Sequence, residues 1–408
     1  MAEKNIQEVN DLIKKQFRKL RTESEFVPIN AAVKRIISQN ITAPADIPGF
    51  NRSTVDGYAV IASDTQGATK AFPAFLTLGV EVVMGEKPKF AIQSGSCAYV
   101  PAGGEIPEGA DAVIMTEHTE NYHDGYIYFS KPAAVGESIV LRGEDIAKGE
   151  VVLSEGTRLR AQDIGALASM GFSQVPVYRD ARVGIISTGD EIVDITKEPQ
   201  ESQIRDVNSW MLSAGVQGCK GNPIMYGIIK DKYEDLQAVM HKALDECDLV
   251  IITGGSSAGT RDLMEKTISQ CGKPGILANG ISIHPGKQTM IADIGGKPVF
   301  NLPGYPQSAY FIFRLFIRPL IGSMQGNGVI SSRTIPAVLD SPFASHYREE
   351  EYFAVKLDYS KNIALPTAIP LRNDSGLIMK LVYADGYVCI PSNSDGYKAG
   401  DKVDVIAF

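Results

Sequence analysis

Four short segments of the 408-residue sequence combine residue types that can hold anions and hard cations. They are Ser187-Thr188-Gly189-Asp190-Glu191, Gly254-Gly255-Ser256-Ser257 running on to Asp262, His284-Pro285-Gly286-Lys287, and Leu302-Pro303-Gly304-Tyr305-Pro306. Glycines in the second segment let backbone amides approach an anion closely, because no Cβ stands in the way. The helix expected after it would add its positive N-terminal end. Lys287 offers a compact positive charge for a phosphate or another oxyanion. Asp190, Glu191 and Asp262 are hard oxygen donors suited to Mg²⁺ or a similar divalent ion. In one cleft, these groups suit a phosphorylated ligand bridged by a metal. Taken singly, each has a plainer reading: Gly-Gly-Ser-Ser is often a tight turn, and Thr-Gly-Asp-Glu often a capping turn. Two further clusters, Pro48 to Ala59 and Leu141 to Ile146, read alone as charged surface turns.

The elements needed to gather the four segments are legible around them. Arg182 to Ser187, Pro223 to Ile229, Asp248 to Thr253, Thr289 to Ala292 and Pro298 to Leu302 are expected strands. Asn208 to Val216, Tyr233 to Glu246, Asp262 to Gln270 and Pro306 to Ile321 are expected helices, with Asp231 as a cap for the second. Such alternation implies a doubly wound, mostly parallel α/β sheet, and ligands of these sheets bind beyond the carboxyl ends of the strands. Before it, residues 5–20 and 28–39 read as helices, the second from Ile29, Val33, Ile36 and Ile37 on one face. Short β-prone runs with Gly, Pro and Asp between them fill 44–143, and a helix over 161–170 closes at Gly171. A β unit inserted between two helical pieces is the expected arrangement. From 326 onward, β-prone runs, including Leu377 to Leu381, suggest a small barrel or sandwich.

Composition removes other classes. A net charge of −8 argues against a general nucleic-acid binder, which needs a basic face. The longest apolar candidate for a membrane span, Tyr310 to Gly322, is broken by Arg314 and Arg318. The charged N-terminus lacks the apolar region of a secretory signal. Five scattered cysteines without Cys-x-x-Cys, and five histidines without His-Glu-x-x-His, suggest reduced thiols in a cytoplasmic protein.

Taken in order, the segments resemble the molybdopterin molybdenumtransferase family, MoeA, which includes the gephyrin E domain among its animal relatives. The resemblance rests on Ser-x-x-Asp-Gly-Tyr-Ala at 53–59, Arg-Gly-Glu-Asp at 142–145, Ser-Thr-Gly-Asp-Glu at 187–191, the Gly-Gly-Ser block ending in Asp262, and Pro-Gly-Lys with Leu-Pro-Gly between 285 and 304. Pro107 to Ala112 and Ile204 to Asn208 match as well. The family pattern implies a helical linker and dimerisation domain (1–43 and 144–179), an inserted mostly β domain (44–143), the α/β molybdopterin-binding domain (180–325) and a C-terminal β-barrel (326–408).

It further implies a homodimer that takes adenylylated molybdopterin and molybdate, releases AMP and leaves molybdenum on the dithiolene with help from Mg²⁺. Glu191, Asp190 and Asp262 would then hold the metal, and Asp206 would bind the pterin or help at the metal. Lys287 and Arg142 would hold phosphate or molybdate, while Asp56 and Asp145 would line the oxyanion side. Thr188, Gly189, Gly254, Gly255, Ser256, Ser257, Pro303 and Gly304 would form the cofactor-binding loops. The chain departs from the pattern at His284 for lysine, Tyr305 for asparagine and Ala102-Gly103-Gly104 for Thr-Gly-Ala, which bears on molybdate against tungstate. Competing readings are a non-catalytic dimeric scaffold and a pterin adenylyltransferase or nucleotide pyrophosphatase. The retained acidic residues oppose the first, and the extra β parts oppose the second.

Overall fold

The computed structural model describes residues 3–255, 258–327, 333–360, 365–371 and 376–408. The chain divides into two compact units, one running up to Phe26 and again from Pro176 to Phe408, the other from Val27 to Val175.

The first unit is built on a six-stranded sheet whose spatial order is Asn222–Ile229, Arg182–Thr188, Leu249–Thr253, Lys297–Leu302, Met290–Ile294 and Pro274–Asn279. The first four strands are parallel, Met290–Ile294 runs against them, and Pro274–Asn279 pairs antiparallel with it. Leu249–Thr253 is buried at every position, as expected for a central strand covered on both faces. Alternation assigns the two faces. Val183, Ile185, Leu249, Ile251, Phe300 and Leu302 join one core, against Leu212 and Val216 of the Asn208–Gly218 helix. Ile186, Val250, Ile252 and Val299 join the other, against Leu236 and Met240 of Tyr233–Glu246 and Met264 and Ile268 of Ala258–Gln270. The edge strand Pro274–Asn279 was not foreseen, because its Pro-Gly start reads as a turn.

The N-terminal helix Ile6–Phe17 packs on the first of these cores through Ile6, Val9, Ile13 and Phe17, spaced three or four residues apart. A capping box starts it: the Asn5 side chain accepts from the Glu8 N–H at 2.8 Å and the Glu8 carboxylate accepts from the Asn5 N–H at 2.8 Å. Residues up to Phe26 therefore group with the α/β part, not with 27–43.

The same unit ends in a closed five-stranded barrel of Thr334–Leu339, Glu350–Asp358, Thr367–Pro370, Gly386–Ile390 and Lys402–Ala407, sealed by pairing of Glu350–Asp358 with Gly386–Ile390. Phe353, Val355, Val388, Ile390, Val403 and Val405 fill it. The expected strand Leu377 to Leu381 is instead a helix, Ile378–Tyr383. Ile378 and Leu381, three residues apart, share a helical side, and Leu381 packs against the large core.

In the second unit, a six-stranded sheet takes the order Ala112–Met115, Gly57–Val60, Ser96–Val100, Ala74–Leu78, Tyr126–Phe129 and Thr119–Asn121. The expected helix over 161–170 forms as Ala161–Ser169, with Gly171 at φ 82°. The helix expected over 28–39 does not form beyond a short turn at Ile29–Ala31. Lys34 takes φ 66°, and the N–H groups of Lys34 and Ile37 donate to the carbonyls of Leu159 and Thr157. Pairing with 157–159 supplies hydrogen bonds that a helix would have supplied, so tertiary partners override the local apolar periodicity.

Among the described residues no helix is long and apolar enough to cross a membrane. If the N-terminal helix is part of the α/β core, Phe17→Ala should cost about 3–5 kcal/mol of unfolding free energy. Urea denaturation followed by far-UV circular dichroism measures this, and a loss within error of zero would remove the helix from the core.

Candidate functional site

Parallel pairing brings the carboxyl ends of four strands to one edge, at Thr188, Ile229, Thr253 and Leu302. Antiparallel pairing brings two more chain ends there, since Met290 lies opposite both Asn301 and Asn279. The 279–290 loop carrying Lys287 thus hangs from the same edge as the segments after Thr188, Thr253 and Leu302. The strand order also places a switch point between Arg182–Thr188 and Leu249–Thr253, where the connections leave in opposite directions.

Close backbone approach governs this point. Gly254 has φ 104°, and a Cβ there would lie 2.0 Å from the Thr188 carbonyl oxygen. Gly255 has φ 61°, and a Cβ there would lie 2.7 Å from Met264 Cγ. The two glycines let the strand end turn toward the start of the Ala258–Gln270 helix. Ser256 and Ser257, also expected in this loop, lie outside the described residues. Pro303 is buried and Gly304 exposed at the end of Lys297–Leu302. A Cβ on Gly304 would sit 4.0 Å from Gly254 Cα, so those two loops are neighbours.

Asn208 ties them together. Its Nδ2 donates to Thr253 Oγ1 at 2.7 Å and to the Gly304 carbonyl at 2.8 Å. Asp206, almost fully buried, accepts from the Ser209 N–H at 3.0 Å and so caps the Asn208–Gly218 helix. The loop between Glu191 and Asp206 is braced by a short parallel pair, Ile192–Val193 with Ile204–Arg205. Asp206, Asn208, Ile192, Gly304 and Tyr305 line an open cleft of about 470 Å³.

The carboxylates expected at a metal are placed as follows. Asp190, Glu191 and Asp262 are exposed, the first two after Thr188 and the third in the Ala258–Gln270 helix. The Glu191 carboxylate folds over Gly189, with Oε1 2.8 Å from where a Cβ would stand. Among the described residues no three His, Cys, Asp or Glu side chains converge as a metal site. The donor chemistry fits Mg²⁺ in another way, since Mg²⁺ is usually held by one or two carboxylates with substrate phosphates completing its shell.

Sequence reasoning treated Lys287 as a cation waiting for an anion. Its ammonium instead sits between Glu349 at 2.9 Å and Glu3 at 3.3 Å. Hydrogen bonds that its ammonium donates to Glu349, then Glu3, raise its pKa, and Lys287 in turn lowers that of Glu349. An incoming oxyanion must compete with those carboxylates. His284, in place of the family lysine, stacks on Tyr347 at 3.6 Å between ring centroids. Burial pushes its pKa down, against the upward pull of Glu351 and Glu349, which disfavours its charged form.

Asp231 was expected to cap the Tyr233–Glu246 helix. It follows the Asn222–Ile229 strand at the same sheet edge, where its carboxylate accepts from the Thr188 hydroxyl. Arg261, not singled out from sequence, donates to Asn279 Oδ1 at 2.7 Å, joining the Ala258–Gln270 helix to the loop of Lys287. The signal for Asp231 was available, because it falls two residues past a predicted strand end.

Asp56, Arg142 and Asp145 belong to the Val27–Val175 unit. There the two sequence blocks that carry them adjoin, with Arg52–Ser53 paired to Ile139–Val140 and the Arg142 N–H donating to Asn51 Oδ1 at 2.8 Å. Asp56 accepts from the Ala102 N–H at 2.9 Å, and the Asp145 N–H donates to the Ile47 carbonyl. Arg142 Nε is 2.7 Å from Asp46, whose pKa is held down by the Lys148 N–H and by Arg142.

Gly254→Ala should destabilise the protein by about 1–3 kcal/mol, the usual cost of a strained backbone position. Thermal denaturation should show the loss, and an unchanged transition would contradict the close approach to Thr188.

Residues 4–171 match the family model "MoeA N-terminal region (domain I and II)", 184–323 match "Probable molybdopterin binding domain", and 336–408 match "MoeA C-terminal region (domain IV)". The molybdopterin molybdenumtransferase of Staphylococcus epidermidis is 32% identical over 395 residues, covering 96% of this chain and 93% of that protein. The molybdopterin molybdenumtransferase of Bacillus subtilis is 29% identical over 387 residues, covering 94% and 90%. The crystal structure of the molybdopterin biosynthesis MoeA protein from Pyrococcus horikoshii superimposes with a TM-score of 0.87 at 34% identity, covering 100% of this chain and 99% of that one. The chain belongs to the MoeA family of molybdopterin molybdenumtransferases, enzymes of molybdenum cofactor biosynthesis.

Proposed function

We propose that the protein inserts molybdate into adenylylated molybdopterin with release of AMP, acting as a homodimer with the four-part domain division that its motifs imply, save that residues up to Phe26 go with the α/β part. The observation that carries this reading is the meeting of the Gly189, Gly254 and Gly304 loops at one sheet edge, beside a cleft lined by Asp206 and Asn208. Backbone amides opened by glycine, with a helix starting behind them, suit a phosphate group. The cleft lined by Ile192 and Tyr305 suits a planar heterocycle.

In this reading Thr188 and Gly189, with Gly254 and Gly255, hold the phosphoanhydride. Asp206 orients the pterin, and its tie to Ser209 keeps the carboxylate from swinging out. One or two of the carboxylates Asp190, Glu191 and Asp262, with substrate phosphates completing the shell, would hold Mg²⁺, which when bound would offset charge building on the phosphate oxygens. Lys287 and Arg142 are assigned to phosphate or molybdate, and Asp56 and Asp145 to the oxyanion. Each cation leaves an existing carboxylate partner to bind its anion, Lys287 from Glu349 and Glu3, Arg142 from Asp46. The two cations are themselves well exposed, with half or more of each side chain open to solvent, so water screens the pairs they leave. His284, whose charged form burial disfavours, stands where the family pattern has lysine, and tungstate is a second candidate oxyanion.

Glu191→Gln and Asp262→Asn should each lower the rate of AMP release at least about a hundredfold, the size of losing one electrostatic stabiliser. Circular dichroism should show both variants folded. Turnover close to that of the unaltered protein in both would refute the assignment of these carboxylates.

A further inference from the structure

A second cavity, of about 520 Å³, lies on the first unit between the Asn208–Gly218 helix and the long C-terminal helix of the α/β part. That long helix is not regular. It runs as Pro306–Ile312, a π-helical turn Phe313–Ile317, and Arg318–Met324. π-Helical turns occur mostly as single insertions, frequently at functional sites. Here the turn carries Arg314, and both Arg314 and Arg318 face the cavity.

Two guanidiniums four residues apart on one helix repel each other. Arg314 is only 9% exposed, and its Nε is buried without a hydrogen-bond partner among the described residues. Its Nη2 donates to the Ala407 carbonyl, and its guanidinium carbon lies 5.6 Å from the Phe408 ring centroid. No Asp or Glu side chain lines the cavity, and among the described residues neither arginine has an ion-pair partner. The remaining wall is apolar, with Met211, Phe313, Leu381 and Phe408. A buried guanidinium such as that of Arg314, with the half-buried Arg318 one helical turn away and no ion pair among the described residues, is costly unless an anion arrives. Arginine forks are shaped for phosphate or carboxylate, and the rings beside them for an apolar or aromatic group.

We propose that this cavity binds a small organic oxyanion, an aromatic phosphate or carboxylate, with its charged group between Arg314 and Arg318 and its ring against Met211 and Phe408. The site is separate from the anion-binding loops of the sheet edge, sharing with their cleft only the apolar Ile378. Cys219 lines the same cavity.

Calorimetric titration of the full chain with phenyl phosphate, benzoate and inorganic phosphate tests this. Phenyl phosphate or benzoate should bind saturably at one site per chain, and inorganic phosphate at least tenfold more weakly. Arg318→Gln should weaken binding of the aromatic anion tenfold or more, while Lys287→Met should leave it unchanged. Saturating aromatic anion should also slow alkylation of Cys219, followed by mass spectrometry of the peptide. The proposal fails if neither aromatic anion saturates below about 10 mM. It fails equally if Arg318→Gln binds as well as the unaltered chain, if Lys287→Met abolishes binding, if inorganic phosphate binds as tightly, or if Cys219 alkylation is unaffected. Arg318 takes no part in the proposed transfer reaction, so AMP release by Arg318→Gln reports separately on that reaction.

Discussion

The parallel register that sets Ser187 opposite Thr253 is the constraint from which the candidate site follows. With those two strands side by side, their continuations must diverge at once, and Gly254 passes so near the Thr188 carbonyl that no side chain fits. Asn208 then satisfies the Thr253 hydroxyl and the Gly304 carbonyl together, linking three chain segments through one amide. A hydrophobic replacement there would leave those groups without this donor, and an unmade buried hydrogen bond costs more than a made one contributes.

Electrostatics at this edge is a matter of exchange more than of vacancy. Lys287 already has Glu349 and Glu3, and in the other unit Arg142 likewise has Asp46. Pairs that water screens in this way contribute little to stability, so a doubly charged oxyanion is a credible competitor. The loop of Lys287 is anchored on the barrel side as well, through pairing of Ile283–His284 with Glu350 and Glu351 and through the stack of His284 on Tyr347. The barrel therefore helps set where that ammonium stands.

Much of the fold was legible because the signals were local. Tyr233–Glu246 is a helix with the limits its periodicity implies, and the buried run before Gly254 is a strand. Residues 28–39 and 377–381 were misread for one reason. Their apolar spacing was compatible with a standard element, but partners distant in sequence took the backbone or side chains elsewhere. Leu159 and Thr157 bind the first segment, and the core beneath Leu381 holds the second. The π-helical turn around Arg314 escaped notice because an added residue in a helical turn scarcely alters a short apolar pattern.

For the candidate site, the sequence by itself determined which side chains are present and which loops glycine makes tight, since φ above zero and close approach restrict residue choice locally. Their order along the chain was also enough to mark the family pattern. Only tertiary structure decided their company. Asp231 turned from a helix cap into the partner of Thr188, Lys287 acquired two carboxylates, and Arg314 and Arg318 came to line one cavity that no Asp or Glu side chain reaches. The physical reason is that charge and hydrogen bonding act through space over a few ångströms, and those neighbours come from strands and helices tens to hundreds of residues apart.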